Sequence, residues 1–262
     1  GFQHSYVQFF VSALWSIILG CYAFTLPPCA IKPHTESKGF VEALGLDAFK
    51  LFKQRKMAMF FIFSMFLGVS LQITNGYANP FISSFAAMPE YQDVYFVDHA
   101  NLLISLSQIS ETLCILLIPF FLKRYGIKRV MLIAMVAWAF RFGFFAIGNP
   151  SFPAVTWFIL SMIVYGVAFD FFNISGSLFV NNETDSSIRS SAQGLFMIMT
   201  NGIGASIGML IAQAVVNNFT YSQEAGGQFY TVGEWPIVWG IFAAYALLVA
   251  IFFALIFKEK NQ

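Results

Sequence analysis

Glu111, Arg141 and Asp170 stand deep inside long apolar stretches of this sequence. At a rise of about 1.5 Å per residue, each lies roughly 15–17 Å from one end of its stretch. A charge at the centre of a bilayer costs at least about 2.5–3.5 kcal/mol, so such a side chain faces a partner or a cavity. Arg141 is expected to form an internal salt bridge. Two acids and one base then leave one carboxyl without a cation, and such a carboxyl can exchange a proton near neutral pH. That is the chemistry a proton carrier needs. The polar neighbours come in pairs at helical spacing: Gln72 with Asn75, Gln108 with Glu111, Asp170 with Asn173. Tyr165 and Phe169 lie one turn apart beside Asp170. Amides and carboxylates bind hydroxyls and base edges, and flat rings offer a face for stacking. Each pair taken alone could equally glue helices together. The three together predict a polar central cavity.

The elements that must position these groups are set by composition. The chain has 262 residues, 58% hydrophobic and 10% charged, against roughly 25% charged in soluble domains. That excludes a soluble enzyme, a nucleic-acid binder and a disordered chain, and makes the lipid bilayer the principal partner. Seven apolar runs are long enough to span a membrane: 5–26, 58–85, 99–121, 130–148, 154–181, 190–217 and 235–257. If they alternate, every Lys and Arg except Arg141 falls on one face. Lys32 to Lys56, Lys123 to Arg129, Arg189, Lys258 and Lys260 all lie there. The opposite loops, 86–98, 149–153 and 218–234, hold Glu90, Asp93, Asp98, Glu224 and Glu234 and no base. This positive-inside pattern predicts a cytoplasmic C-terminus and an outside Gly1. The start at Gly1, directly before a span, suggests a piece of a longer protein.

Local signals refine the elements. Pro27, Pro28 and Pro33 end the first run. Phe40, Leu44, Ala48 and Leu51 then recur at helical spacing, with Glu42, Asp47 and Lys50 off the stripe, which predicts a short amphipathic helix on the cytoplasmic surface, weakened by Gly45. In LQITNGYANPF, Pro80 is expected to kink or break the second span beside Gln72 and Asn75. Gly204 and Gly208 form a GxxxG that permits close helix approach. The overlapping G-x-S-x-G at 204–208 lacks the strand and histidine of a hydrolase elbow, since His4, His34 and His99 are all peripheral. Cys21, Cys29 and Cys114 form no metal or disulfide pattern and read as small buried hydrophobes. No cofactor, no metal and no nucleic-acid partner is expected, and the chain reads as a non-enzyme.

PFFLKRYGIKRVMLI (119–133) resembles the short cytoplasmic loop of the major facilitator superfamily, with Arg124, Gly126, Lys128 and Arg129 at its heart. There the loop joins the second and third helices of a six-helix half; here it joins runs three and four. The expected fold is therefore all-α and polytopic. Residues 1–26 would be the last helix of an absent N-terminal half, and 27–57 the cytoplasmic loop between halves. Residues 58–257 would be the C-terminal six-helix transport half and 258–262 a cytoplasmic tail. LGLDAFKLFKQRKMAMFFIFSMFLGVSLQITN, ISLSQISETL, SMIVYGVAFDFFNISGS and RSSAQGLFMIMTNG are similar to the bacterial nucleoside–proton symporters, from about Gly45 to Phe257.

That resemblance implies a twelve-helix inner-membrane carrier moving nucleosides inward with protons. It implies substrate contacts at Gln72, Asn75, Gln108, Glu111, Tyr165 and Phe169, and proton coupling at Asp170, with Glu111 as a second candidate. The partners it implies are a nucleoside, a proton, the bilayer and the N-terminal half of the same protein. Gly76-Tyr77-Ala78 departs from the family's bulkier sequence beside Asn75, which bears on selectivity. Rival readings are a seven-helix receptor and a nucleoside sensor without transport; a retinal protein is excluded because no run carries an internal lysine.

Overall fold

The structure is a computed structural model that describes residues 6–27, 45–91 and 94–257. Cys29, Pro28, Pro33, Phe40, Glu42, Leu44, Asp93, His4, His34 and the bases Lys32, Lys38, Lys258 and Lys260 lie outside the described residues. The chain divides into two compact units, Gly1–Phe40 and Val41–Gln262. The first holds helix α1, Val7–Ala23, an apolar helix in which Cys21 is exposed rather than buried.

The second unit is a helical bundle. Its helices are α2 (Arg55–Ser84), α3 and α4 within Ala100–Ile147, α5 (Val155–Glu183), α6 (Arg189–Met197), α7 (Ala205–Phe219) and α8 (Trp235–Ile256). A π-helical stretch, Ile198–Gly204, joins α6 to α7 without a break. Ala100–Ile147 would run about 72 Å as one straight rod, more than twice a bilayer core. It is divided at Gly126, whose backbone (φ 76°, ψ 168°) leaves the helical region. We therefore treat 100–125 as α3 and 127–147 as α4. A glycine suits this turn because a side chain at such a φ is strained. The expected loop at 122–129 thus shrinks to one residue. Each apolar run read from the sequence coincides with a helix, and Arg55–Ala87, Ala100–Ile147, Val155–Glu183, Arg189–Phe219 and Trp235–Ile256 are long and apolar enough to cross a membrane.

The core is aromatic. Trp239 packs on Phe81, Phe142 and Phe145, and Phe60 on Phe172, Phe179 and Phe196. In lipid, association rests on such packing and on close backbone approach. Both occur here. A Cβ on Gly208 would lie 2.8 Å from the Val69 Cα, and one on Gly204 would lie 3.2 Å from the Gly68 Cα. The GxxxG expectation therefore holds, with α2 as the partner. Gly166 of α5 meets α3 in the same way, 2.6 Å from the Ser110 carbonyl oxygen.

Three local expectations are corrected. α2 runs as one helix through Pro80. The loss of one N–H frees the Gly76 carbonyl without ending the helix, because the bonds on either side persist. The stretch after Gly45 is a 3-10 helix, Leu46–Lys53, rather than an α-helix, and it is amphipathic as expected, with Lys50 and Lys53 exposed. Its Ala48 and Leu51 are buried in the bundle, and Gly45 starts it in the left-handed region (φ 69°) instead of weakening its interior. Residues 218–234 are more than a loop: Thr220–Ala225 (β1) and Gln228–Gly233 (β2) form an antiparallel hairpin turning at Gly226 and Gly227, both with positive φ.

Candidate functional site

α2, α3, α4 and α5 converge on a cavity of about 350 Å³. Asn75 and Asn79 of α2, Asn101 and Gln108 of α3, Arg141 of α4 and Tyr165 of α5 supply its polar lining. The Asn79 amide donates to the Asn101 side-chain oxygen at 2.6 Å, tying α2 to α3 at the rim. Of the residues read from the sequence, Asn75, Gln108 and Tyr165 line this cavity. Tyr165 is buried, and its ring stacks on Phe169 with centroids 6.0 Å apart and planes within 5°. Trp138 braces it edge-on at 5.8 Å. The four-residue spacing of Tyr165 and Phe169 on one helix produces this stack directly.

Glu111 is half-buried one turn below Gln108, within electrostatic reach of the Tyr165 hydroxyl and Arg141. Asp170 is buried, and its Oδ2 has no hydrogen-bond partner among the described residues. It directly follows Phe169 on α5, while Glu111 stands one turn from Gln108 on α3. Gln72 is half-buried on α2 and does not line the cavity. Asn173 lies elsewhere, in a second cavity described below. Of the three polar pairs, Asn75 and Gln108 line this cavity and Asn173 the second, while Gln72, Glu111 and Asp170 are in the lining of neither.

Arg141 is the residue whose role the sequence misjudged. It is 2% exposed, and among the described residues no carboxylate comes within salt-bridge distance. The expected internal salt bridge is absent among the described residues. Its Nε donates to the Thr74 hydroxyl at 3.1 Å, and a terminal nitrogen donates to the Ser161 carbonyl at 2.8 Å. The guanidinium lies over the Tyr165 ring, 4.3 Å from its centroid, and 5.3 Å from that of Phe145. A delocalised cation between aromatic faces and oxygen acceptors is solvated by the protein itself. Arg141 thus fixes the ring that floors the cavity and contributes a positive lining. Ser206 of the G-x-S-x-G donates to the Gly202 carbonyl within its helix and is no nucleophile elbow. Among the described residues no group of metal-binding side chains occurs.

Fold and site together define a multi-pass helical membrane protein whose polar groups gather in cavities between its spans. A family profile described as nucleoside H+ symporter matches residues 1–262, and the chain belongs to that family. It is 49% identical over 258 residues to the xanthosine permease of Escherichia coli (strain K12), covering 98% of this chain and 60% of that protein. It is 47% identical over 261 residues to the nucleoside permease NupG of the same organism, covering 100% of this chain and 60% of that one. A crystal structure of nucleoside transporter NupG superposes with a TM-score of 0.77 at 47% identity, covering 98% of this chain and 61% of that one. An aspartate-to-alanine mutant of that transporter gives 0.82, with 97% and 61% covered. The chain spans about three-fifths of the length of these relatives.

Proposed function

We propose that this chain is the C-terminal portion of a carrier that takes nucleosides up with protons across a bacterial inner membrane by alternating access. The observation that carries this reading is the amide-lined cavity walled by Tyr165, whose ring stacks on Phe169, with Glu111 one turn from Gln108 and Asp170 next to Phe169 in the chain. A nucleoside presents a flat base and a hydroxylated sugar, and this site offers a partner for each. Asn75, Gln108 and Glu111 hydrogen-bond the ribose and base, and Tyr165 with Phe169 stacks on the base. Asp170, aided by Glu111, takes a proton on one side and releases it on the other. The Lys- and Arg-rich end faces the cytoplasm, as does the C-terminus. In a carrier of the relatives' length, the facing cavity wall would come from the portion this chain does not span. Residues 58–257 then rock against that portion as a body. Family membership supports this over a receptor or a sensor.

The test is a pair of substitutions in the uninterrupted gene product. Asp170→Asn should retain nucleoside binding and exchange but lose accumulation against a gradient. Glu111→Gln should weaken binding about tenfold by calorimetry, the scale of a lost hydrogen bond to a charged group. Concentrative uptake by Asp170→Asn would overturn the proton assignment, and unchanged affinity in Glu111→Gln would remove Glu111 from the binding site.

A further inference from the structure

A second cavity, of about 360 Å³, opens between α5 and α6. Its lining includes Asn173, Ser177, Gln193 and Phe196. The nucleoside site described above uses none of them. Its volume falls in the roughly 300–1,000 Å³ range of small-molecule sites. Its position relates it to the first cavity. Tyr165 lines the first and Asn173 the second, eight residues apart on α5, which is about 12 Å along the axis. Phe169 and Asp170 lie between them. Tyr165, Phe169, Asn173 and Ser177 succeed one another in four-residue steps, so each side chain neighbours the next. This row of side chains at one-turn spacing leads from the first cavity, past the aromatic stack and the buried acid, toward the second. The direction is toward the basic end, where Lys56 pairs with Glu183 at 2.6 Å.

The polar groups of the second cavity are arranged unequally. Gln193 is fully engaged: its amide donates to the Ser177 carbonyl at 2.7 Å and to the Asn181 side-chain oxygen at 3.1 Å, and its oxygen accepts from the Ser177 hydroxyl at 3.1 Å. These bonds clamp α6 to α5 and fix the cavity's polar wall. Asn173 makes no hydrogen bond among the described residues, although it is half-buried at membrane depth. An amide in that setting gains from a ligand that both donates and accepts, as a sugar hydroxyl does. Phe196, buried and packed on Phe60 and Phe172, supplies an apolar wall opposite.

We propose that Asn173, with Ser177 and Gln193 behind it, forms a release-side subsite that holds the nucleoside's sugar hydroxyls after the base has left the Tyr165–Phe169 stack. The subsite rests on the reading of the protein as a nucleoside carrier. It lowers the cost of passing Asp170 by offering hydroxyl partners before the cytoplasm is reached.

The experiment uses the full-length carrier in oriented vesicles, with labelled uridine presented separately to each face. In Asn173→Leu, the KM at the basic face should rise about three- to tenfold, the scale of one or two lost hydrogen bonds. The KM at the opposite face should stay within twofold. Asn173→Ala, smaller and free of overpacking, should behave alike, and Asn173→Gln should recover part of the loss. Equal effects on both faces, or none, would overturn the subsite. Failure of the unsubstituted carrier to move uridine from either face would instead overturn the carrier reading on which the subsite depends.

Discussion

At the scale of single residues, the site is built around a buried cation that makes no salt bridge among the described residues. Arg141 satisfies three demands at once: hydrogen bonds to Thr74 and to the Ser161 carbonyl, and a face for Tyr165. A lysine carries the charge but lacks the planar fork, so it cannot donate to both oxygens while lying flat on the ring. Arg141→Lys should therefore cost about 1–3 kcal/mol of stability. It should also weaken nucleoside binding severalfold by loosening Tyr165, read by thermal melting and calorimetry of the purified carrier. Unchanged affinity would mean that Tyr165 is positioned without it. The depth of Arg141 was legible in the sequence, and its partners were not. Thr74 is 67 residues away on another helix, and the Ser161 contact is a backbone carbonyl that no side-chain pattern reveals. By contrast, the Tyr165–Phe169 stack was legible because both residues lie on one helix at one-turn spacing.

At the scale of elements, the bundle is assembled where glycines let backbones touch. Gly166→Leu should prevent folding, since its Cβ alone would press on the Ser110 carbonyl at 2.6 Å. Gly143 of α4 has open space around its absent Cβ. Gly143→Ala should raise the melting temperature, through about 0.5–1 kcal/mol of helix propensity. Comparing detergent-solubilised yield and melting of the two variants checks both. At the hairpin tip, alanine at Gly226 or Gly227 should cost about 1–2 kcal/mol locally. Transport should stay intact there, because the tip is exposed and far along the chain from the cavities. The hairpin was within reach of the sequence, since a Gly-Gly pair is a turn signal. Pro80, expected to kink or break α2, does not break it, because the hydrogen bonds before and after it carry the helix on.

At the scale of the whole molecule, the fold was legible because lipid permits few solutions. Apolar runs of spanning length must become helices, and the charge asymmetry of the loops orders them. The division of the polar residues into two cavities was not legible, because helical spacing says which residues share a face but not which helices that face meets. Tyr165 lines the first cavity and Asn173 the second, on one helix with Phe169 and Asp170 between them, and the proposed carrier function turns on these residues. The most direct measurement of that claim is uptake of labelled uridine by the uninterrupted gene product, in cells lacking their own nucleoside carriers, with and without a protonophore. The account predicts accumulation above the external concentration that collapses when the protonophore is added. Absence of uptake with the protein present in the membrane, or accumulation indifferent to the protonophore, would contradict it.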